Sequence, residues 1–344
     1  MKIIIDKSIP FVGDLFEPYF DVLYRDGKGI SREDVRDADA LLIRSRTRCS
    51  SALLEGSSVR IISTASIGTD HIDHGFCNAN GIFIQNAYGS NSTGVMNYVF
   101  SALYGIAARK SINLNSAVIG VIGVGNCGSK VVNTARHIGL KVLACDPIRA
   151  TSEGPDAYTP LEQVLENSDI VTMHVPLSES TRKMAGPDFF SRMKDGAIFI
   201  NTSRGEVVDD DALKQNIGKL GAVVIDTWNH EPAVDTDLMD MIDIATPHIA
   251  GYSYQGKQQG TAMAVRAIAR FYGIKDLYEF FPKTPIKELE AIKLDLRGKT
   301  QGEIASVMQY NYPIFTDDFM FRMDPGGFER LRMEYKYRRE FYID

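Results

Sequence analysis

A chain of 344 residues, 44% apolar and 24% charged, is long enough for two or three domains with their own cores, and too balanced for a disordered or membrane-embedded protein. Its net charge of −6 gives no general attraction to nucleic acid or acidic membranes, so any anionic ligand must be held by a local basic site. The four cysteines, Cys49, Cys77, Cys127 and Cys145, have neither CxxC nor metal-ligand spacing, which fits reduced thiols in a cytoplasmic protein.

The first residues, Met1 to Asp6, are too few and too soon charged to read as a signal peptide, and no apolar run reaches transmembrane length. Up to about residue 90, short apolar runs at Lys2–Ile5, Ala40–Ile43, Ile61–Ala65 and Ile82–Gln85 alternate with helical or turn segments. That predicts a small α/β unit with a parallel sheet. Arg44, Arg46 and Arg48 alternate, so in a strand-like segment they would share a face, suited to a phosphate or, except at Arg44, simply a solvated edge. Asp70 and His71 lack a third partner at sensible spacing, so no metal is expected. Asn91-Ser92-Thr93 offers cap chemistry for a helix over 92–110, with Val95, Val99, Ala102, Leu103 and Ile106 at helical spacing.

The densest signal follows. Val118–Ile122 is an apolar strand, then come Gly123, Gly125 and Gly128 as GxGxxG, a helix to Leu140, a strand Lys141–Cys145 and Asp146. The first glycine permits a tight turn, the second lets backbone approach a pyrophosphate, and the third allows close helix–strand packing. The helix N-terminus would face the phosphates, and Asp146 stands where an acid bonds a ribose 2′-OH, favouring NAD over its 2′-phosphorylated form. Further strands are predicted at Ile170–His174, Ala197–Asn201, Ala222–Asp226 and Ile244–Ala245, and a second long helix at 257–272.

Arg204, Glu231 and His248 each follow the carboxyl end of one of these strands, where open α/β sheets bind ligands. A guanidinium can anchor a carboxylate, an imidazole can take a hydroxyl proton, and a carboxylate beside it can fix its tautomer. This is the equipment for oxidising a 2-hydroxy acid. His174 and His230 match no such role and read as packing or loop residues. Past Pro282 the chain alternates charged and aromatic residues, which suggests a third, smaller unit. The expected division is a discontinuous substrate (lid) domain, 1–92 plus 252–282, a Rossmann-type doubly wound NAD domain, 93–251, and a C-terminal unit, 283–344.

With these residues in order, the chain resembles the NAD-dependent D-isomer-specific 2-hydroxyacid dehydrogenases, whose catalytic Arg, Glu and His match Arg204, Glu231 and His248. The loop Gly68–Asp73 resembles that family's substrate-domain turn. The stretches Ala38–Ser45, Thr64–His71, Gly123–Asn126, His248–Tyr252 and Pro325–Leu331 resemble members that carry a C-terminal extension. The resemblance implies a flavodoxin-like lid domain, a small C-terminal α+β dimerisation domain and hence a homodimer, and a small phosphorylated hydroxy acid as substrate. It implies substrate contacts from Arg44, Ser45, Ser66 and Tyr252. It also implies NAD contacts from Asn126, Cys127, Asp146, Thr202, Ser203, Asp226 and Gly251 beside the three glycines. Ser66 departs from the threonine expected there, and Asn229-His230 from the usual acidic-glycine pair before the glutamate. Two other readings stay open: another NAD-dependent D-2-hydroxyacid dehydrogenase, of phosphoglycerate or hydroxypyruvate type, or a non-catalytic NADH-sensing interaction protein.

Overall fold

The computed structural model describes residues Met1–Ile343. Contacts divide the chain into two units: Met1–Asn91 with Tyr254–Glu290, and Ser92–Ser253 with the segment from Ala291 on.

The first unit holds five strands, β1 (Lys2–Asp6), β2 (Asp21–Arg25), β3 (Ala40–Ile43), β4 (Ile61–Thr64) and β5 (Phe83–Asn86). All pair in parallel in the order β2-β1-β3-β4-β5. This is the flavodoxin-like order expected from the resemblance. Both faces are covered, so the central strands read as continuous apolar runs. Ile3, Ile5, Ala40, Leu42 and Ile61 face one core, and Ile4, Leu41, Ile43 and Ile62 face the other. The helix Tyr254–Tyr272 closes the first core with Ala264, Val265, Ile268 and Ala269.

The second unit holds β6 (Val118–Ile122), β7 (Lys141–Cys145), β8 (Ile170–Met173), β9 (Ile198–Asn201), β10 (Ala222–Ile225) and β11 (Ile244–Ala245). They form one parallel sheet ordered β11-β10-β9-β8-β6-β7. The chain reverses direction across the sheet between β6 and β8, the kind of switch point at which doubly wound sheets bind ligands. Beyond β7 the usual third strand of a mononucleotide half is reduced to one bond, from Thr159 N–H to the Ala144 carbonyl (2.7 Å).

The helix Ser92–Lys110 starts and stops where the sequence predicts, but it is buried from Ser92 through Ala107 and not on one face alone. The far side is covered by the C-terminal helix Gln301–Asn311. Ile304, Ala305 and Met308 of that helix share a core with Tyr98, Ala102 and Ile106. Gln309 donates to the Ser101 carbonyl (2.7 Å), across a groove that Gly105 leaves open. The C-terminal segment adds a parallel pair, β12 (Ile292–Leu294) and β13 (Phe341–Ile343). The Asn97 side chain fixes β13 by bonding both the N–H and the carbonyl of Phe341. Among the described residues no helix is long and apolar enough to cross a membrane.

Candidate active site

The glycine loop leaves β6 at Gly123, whose φ of +85° is left-handed. A Cβ there would lie 2.7 Å from the His174 carbonyl oxygen, and one on Gly128 would lie 1.9 Å from the Gly123 carbonyl oxygen. Only glycine closes this turn at both ends. The helix Asn126–His137 then begins with Gly125 at its N-cap and no side-chain cap. Its first amides are therefore available to an anion. The neighbouring helix Pro147–Glu153 is capped by Asp146, so the contrast is local.

Asp146 sits at the carboxyl end of β7. One carboxylate oxygen accepts from Val124 N–H (2.8 Å) and the other from Arg149 N–H (3.0 Å). The acid thus ties the glycine loop to the strand end while keeping lone pairs for a further donor. Arg149, the nearest cation along the chain, is forked onto Glu153 (2.7 and 2.9 Å) and donates to the Val124 carbonyl (2.5 Å). Burial pushes the Cys127 thiol in this loop up to about 11.

His174 is the residue that sequence reasoning set aside. It follows β8 at the switch point, donating its N–H to the Ile122 carbonyl (2.7 Å). Its ring lies 3.0 Å from Thr172 Oγ1 and 3.3 Å from Thr202 Oγ1. Burial lowers its pKa to about 3, so the imidazole is neutral at physiological pH and can offer hydrogen bonds but no charge. Its place directly after a strand pointing at the glycine loop was the signal available.

Arg204 is delivered by the turn after β9. Buried Asn201 shapes that turn: its carbonyl oxygen accepts from Ser203 N–H (3.0 Å), and its amide donates to the Arg204 carbonyl (3.0 Å) and Thr227 Oγ1 (3.2 Å). Ser203 Oγ in turn accepts from Val175 N–H (3.2 Å). Gly205 rests directly on the next loop, since a Cβ would fall 1.9 Å from the Trp228 carbonyl carbon. The arginine turn and the glutamate loop are therefore held as one piece.

Glu231 Oε1 accepts from Trp228 N–H (2.9 Å), and Oε2 lies 2.8 Å from His248 Nδ1. Burial pushes the Glu231 carboxyl upward, but His248, the Trp228 amide and Arg332 together hold it below its ordinary value. His248 itself has φ +54°, a conformation that costs a non-glycine residue on the order of 1 kcal/mol. Asp226, 1% exposed, overcomes that cost. Its carbonyl accepts from His248 N–H (2.7 Å), and its carboxylate accepts from Ile249 N–H (2.8 Å), Ala250 N–H (3.0 Å) and Thr246 Oγ1 (2.7 Å). The Asp226 carboxylate is thus occupied in building the histidine turn that leads into Gly251.

Tyr252 lies among residues of the C-terminal segment. Its ring meets Tyr335 and Tyr337 edge-on, with centroids 6.1 and 6.2 Å away, and the Arg332 guanidinium is 5.5 Å from its centre. Nothing in the sequence pattern linked Arg332 to this site. In the first unit, Ser45 N–H donates to Ser66 Oγ (3.1 Å), and Arg44 reaches the Ser8 carbonyl (3.1 Å). The expected arginine stripe does not form. The chain turns after Ile43, Arg46 pairs with Asp26 (3.1 Å) and Arg48 is exposed, so the three do not line one strand face.

Residues 103–250 match the family model of the D-isomer specific 2-hydroxyacid dehydrogenase NAD-binding domain. Erythronate-4-phosphate dehydrogenase of Bacteroides fragilis is 42% identical over 347 residues, covering 99% of this chain and 97% of that one. The chain belongs to the erythronate-4-phosphate dehydrogenase family. The enzyme of that name from Yersinia pestis is 37% identical over 351 residues, covering 99% of this family member and 93% of its own length. Among solved structures, D-lactate dehydrogenase from Aquifex aeolicus, complexed with NAD and lactic acid, superposes with a TM-score of 0.68. It is 25% identical and covers 83% of this chain and 100% of its own. The 3-phosphoglycerate dehydrogenase of Entamoeba histolytica, with bound NAD+, shares the fold at a TM-score of 0.67, with 24% identity, 79% of this chain and 95% of its own. Residues 103–250, within the second unit of this family member, are accordingly an NAD-binding domain.

Proposed function

We propose that this chain oxidises 4-phospho-D-erythronate to (R)-3-hydroxy-2-oxo-4-phosphooxybutanoate with NAD, a step toward pyridoxal 5′-phosphate in the cytoplasm. The observation that carries the reading is the 2.8 Å pairing of His248 Nδ1 with Glu231 Oε2, on a loop held against the Arg204 turn. The names of the full-length relatives supply the substrate.

Gly123, Gly125, Asn126, Cys127 and Gly128 would hold the NAD pyrophosphate through backbone amides, and Asp146 its ribose. Thr202, Ser203 and Gly251 are the further proposed NAD contacts, with Asp226 contributing through the turn it builds before Gly251. Bound NAD supplies the hydride acceptor. Arg204 holds the C1 carboxylate as a planar fork. His248, with Nδ1 committed to Glu231, presents Nε2 to the C2 hydroxyl and takes its proton as the C2 hydride departs, leaving a C2 carbonyl. Glu231 fixes that tautomer and stabilises the imidazolium. Arg44, Ser45, Ser66 and Tyr252 are the proposed substrate contacts.

The reading includes a homodimer formed through the C-terminal segment. Phe319, Met320 and Met323 form an exposed apolar stripe on the helix Ile314–Met323, and Met333 is exposed nearby in the chain. Sedimentation equilibrium should give twice the chain mass, and a monomer at micromolar concentration would refute that part.

The test of function is nicotinamide reduction at 340 nm after adding 4-phospho-D-erythronate, with 3-phosphoglycerate and D-lactate in parallel and a 2-oxo acid added to reveal recycling. Reduction with phosphoerythronate alone supports the reading, and reduction only with another acid discards the substrate. No reduction, with NAD binding confirmed, leaves an NADH sensor.

A further inference from the structure

The C-terminal segment carries several arginines, and most have a carboxylate. Arg322 bonds Asp318 (2.9 Å), Arg338 bonds Asp317 (2.6 Å), and Arg330 pairs with both Asp324 and Glu334. Arg332, on the short helix Phe328–Met333, makes no ion pair among the described residues, and its Nε is buried without a hydrogen-bond partner there. Its guanidinium lies 5.5 Å from the Tyr252 centroid and 5.3 Å from that of Phe328, and it also hydrogen-bonds the Tyr252 side chain. Glu231 is near enough to feel its charge, but both Glu231 oxygens are already committed, to Trp228 N–H and His248.

Arg332 is half-buried with its Nε shut off from water, and a cation so placed normally needs a counter-charge, because desolvating it alone is costly. Here ring faces orient the planar fork, while Glu231 and Asp226 act on it through their charge without a direct ion pair, an arrangement that leaves the fork able to take an anionic ligand. The Arg204 turn and Arg332 both adjoin the loop that carries Glu231. An acid with anionic groups at its two ends needs two such guanidiniums. We propose that Arg332 receives the phosphoryl group of the substrate, beside Tyr252, while Arg204 takes the carboxylate. The inference rests on the proposed function for the identity of the substrate. It adds a binding residue from a segment outside the NAD-binding domain.

The experiment compares kcat/KM for 4-phospho-D-erythronate with that for unphosphorylated D-erythronate, in wild type and in Arg332→Gln. The phosphorylated-to-unphosphorylated ratio should fall about 10- to 100-fold, the usual size of a lost charge-assisted contact. Arg332→Lys should lower it less, because a point charge lacks the fork. If Arg332→Gln fails to give a wild-type circular dichroism spectrum, the lysine variant decides. An unchanged ratio overturns the inference. So does an equal loss on both acids with a shifted pH–rate profile, which would mean that Arg332 acts through Glu231. If wild type does not oxidise the phosphorylated acid, the substrate reading fails by itself. Calorimetric titration of inorganic phosphate into the NADH-loaded protein then settles Arg332: binding lost in Arg332→Gln supports it, and equal or absent binding in both proteins refutes it.

Discussion

Replacing Glu231 with glutamine tests the proposed chemistry most directly. In the wild type one carboxylate oxygen accepts from Trp228 N–H (2.9 Å) and the other faces His248 Nδ1 (2.8 Å). Glutamine has one acceptor and one donor group. The Trp228 amide can only donate, so it claims the amide oxygen and turns the NH2 toward Nδ1. Nδ1 must then be the unprotonated nitrogen, and the proton moves to Nε2, where it blocks acceptance of the substrate proton. The charge that would stabilise the imidazolium is lost as well, about 1.5–3 kcal/mol for a charged hydrogen bond, or roughly 10- to 100-fold. A carboxylate-to-amide change that inverts a catalytic histidine's tautomer costs about 10⁴ in a serine-protease triad. The expected fall in kcat for Glu231→Gln is therefore between about 10² and 10⁴. The assay is steady-state absorbance at 340 nm, paired with fluorescence titration of NADH, whose affinity should stay within about 3-fold because the glycine loop is untouched. The pH dependence has a definite sign. Glu231 is held below its ordinary value, so its contribution to stability is fully present above the unfolded carboxyl pKa of about 4.3 and is lost as pH falls through the lower folded value. The stability gap between wild type and variant should be flat above about pH 5 and close below that window. A kcat within about 3-fold of wild type would show that His248 does not depend on this carboxylate.

Three further expectations concern the cofactor crevice. Gly128→Ala places a Cβ 1.9 Å from the Gly123 carbonyl oxygen, backbone against backbone, and should weaken NADH at least ~10-fold by fluorescence titration; undiminished affinity would show that the loop can relax. Asp146→Asn keeps a helix cap but removes the charge facing a 2′-phosphate, so the NAD-over-NADP ratio of kcat/KM should fall at least ~10-fold; a ratio equal to wild type would place the discrimination elsewhere. Cys127, raised by burial to about 11, should alkylate slowly at neutral pH and accelerate only toward that value when followed by mass spectrometry; rapid labelling at pH 7.5 would mean that the loop opens.

Much of the fold was legible because its strands are buried on both faces. β3 and β10 read as unbroken apolar runs and β8 and β9 as runs broken by one polar residue each, and Arg204, Glu231 and His248 follow the ends of β9, β10 and β11. β2 was not legible: it is an edge strand with half-exposed residues, and Asp21-Val22-Leu23-Tyr24-Arg25 carries neither a run nor a clean alternation. The arginine stripe failed because a two-residue period means a shared face only while the strand continues, and β3 stops at Ile43. Arg332 and the all-round burial of Ser92–Lys110 escaped for a common reason. Both depend on where the C-terminal segment folds back, a non-local pairing that no local period encodes.

That segment also explains how a two-residue strand can support the turn at His248. β11 lies at the edge of the sheet, only three residues before His248. Its Ala245 N–H would be unpaired, but the Asp318 carboxylate accepts it (2.7 Å). Arg322, paired with Asp318, reaches the carbonyls of Met239 (2.6 Å) and Ile242 (2.9 Å) just before the strand. Phe321 packs edge-on against Trp228 (5.9 Å), and the Trp228 indole donates to the Thr246 carbonyl (2.9 Å). Trp228 is also the residue whose amide holds Glu231. The Glu231 end of the Glu231–His248 pair therefore leads in two steps, through Trp228, to Phe321. The left-handed turn at His248 persists because its surroundings over-determine it, and much of that surrounding comes from the C-terminal segment. A segment that served only to join subunits would have no reason to cap the edge strand beneath His248. This one does so with a buried carboxylate, an arginine and an aromatic ring, so the Glu231–His248 pair and the tail form a single structural problem.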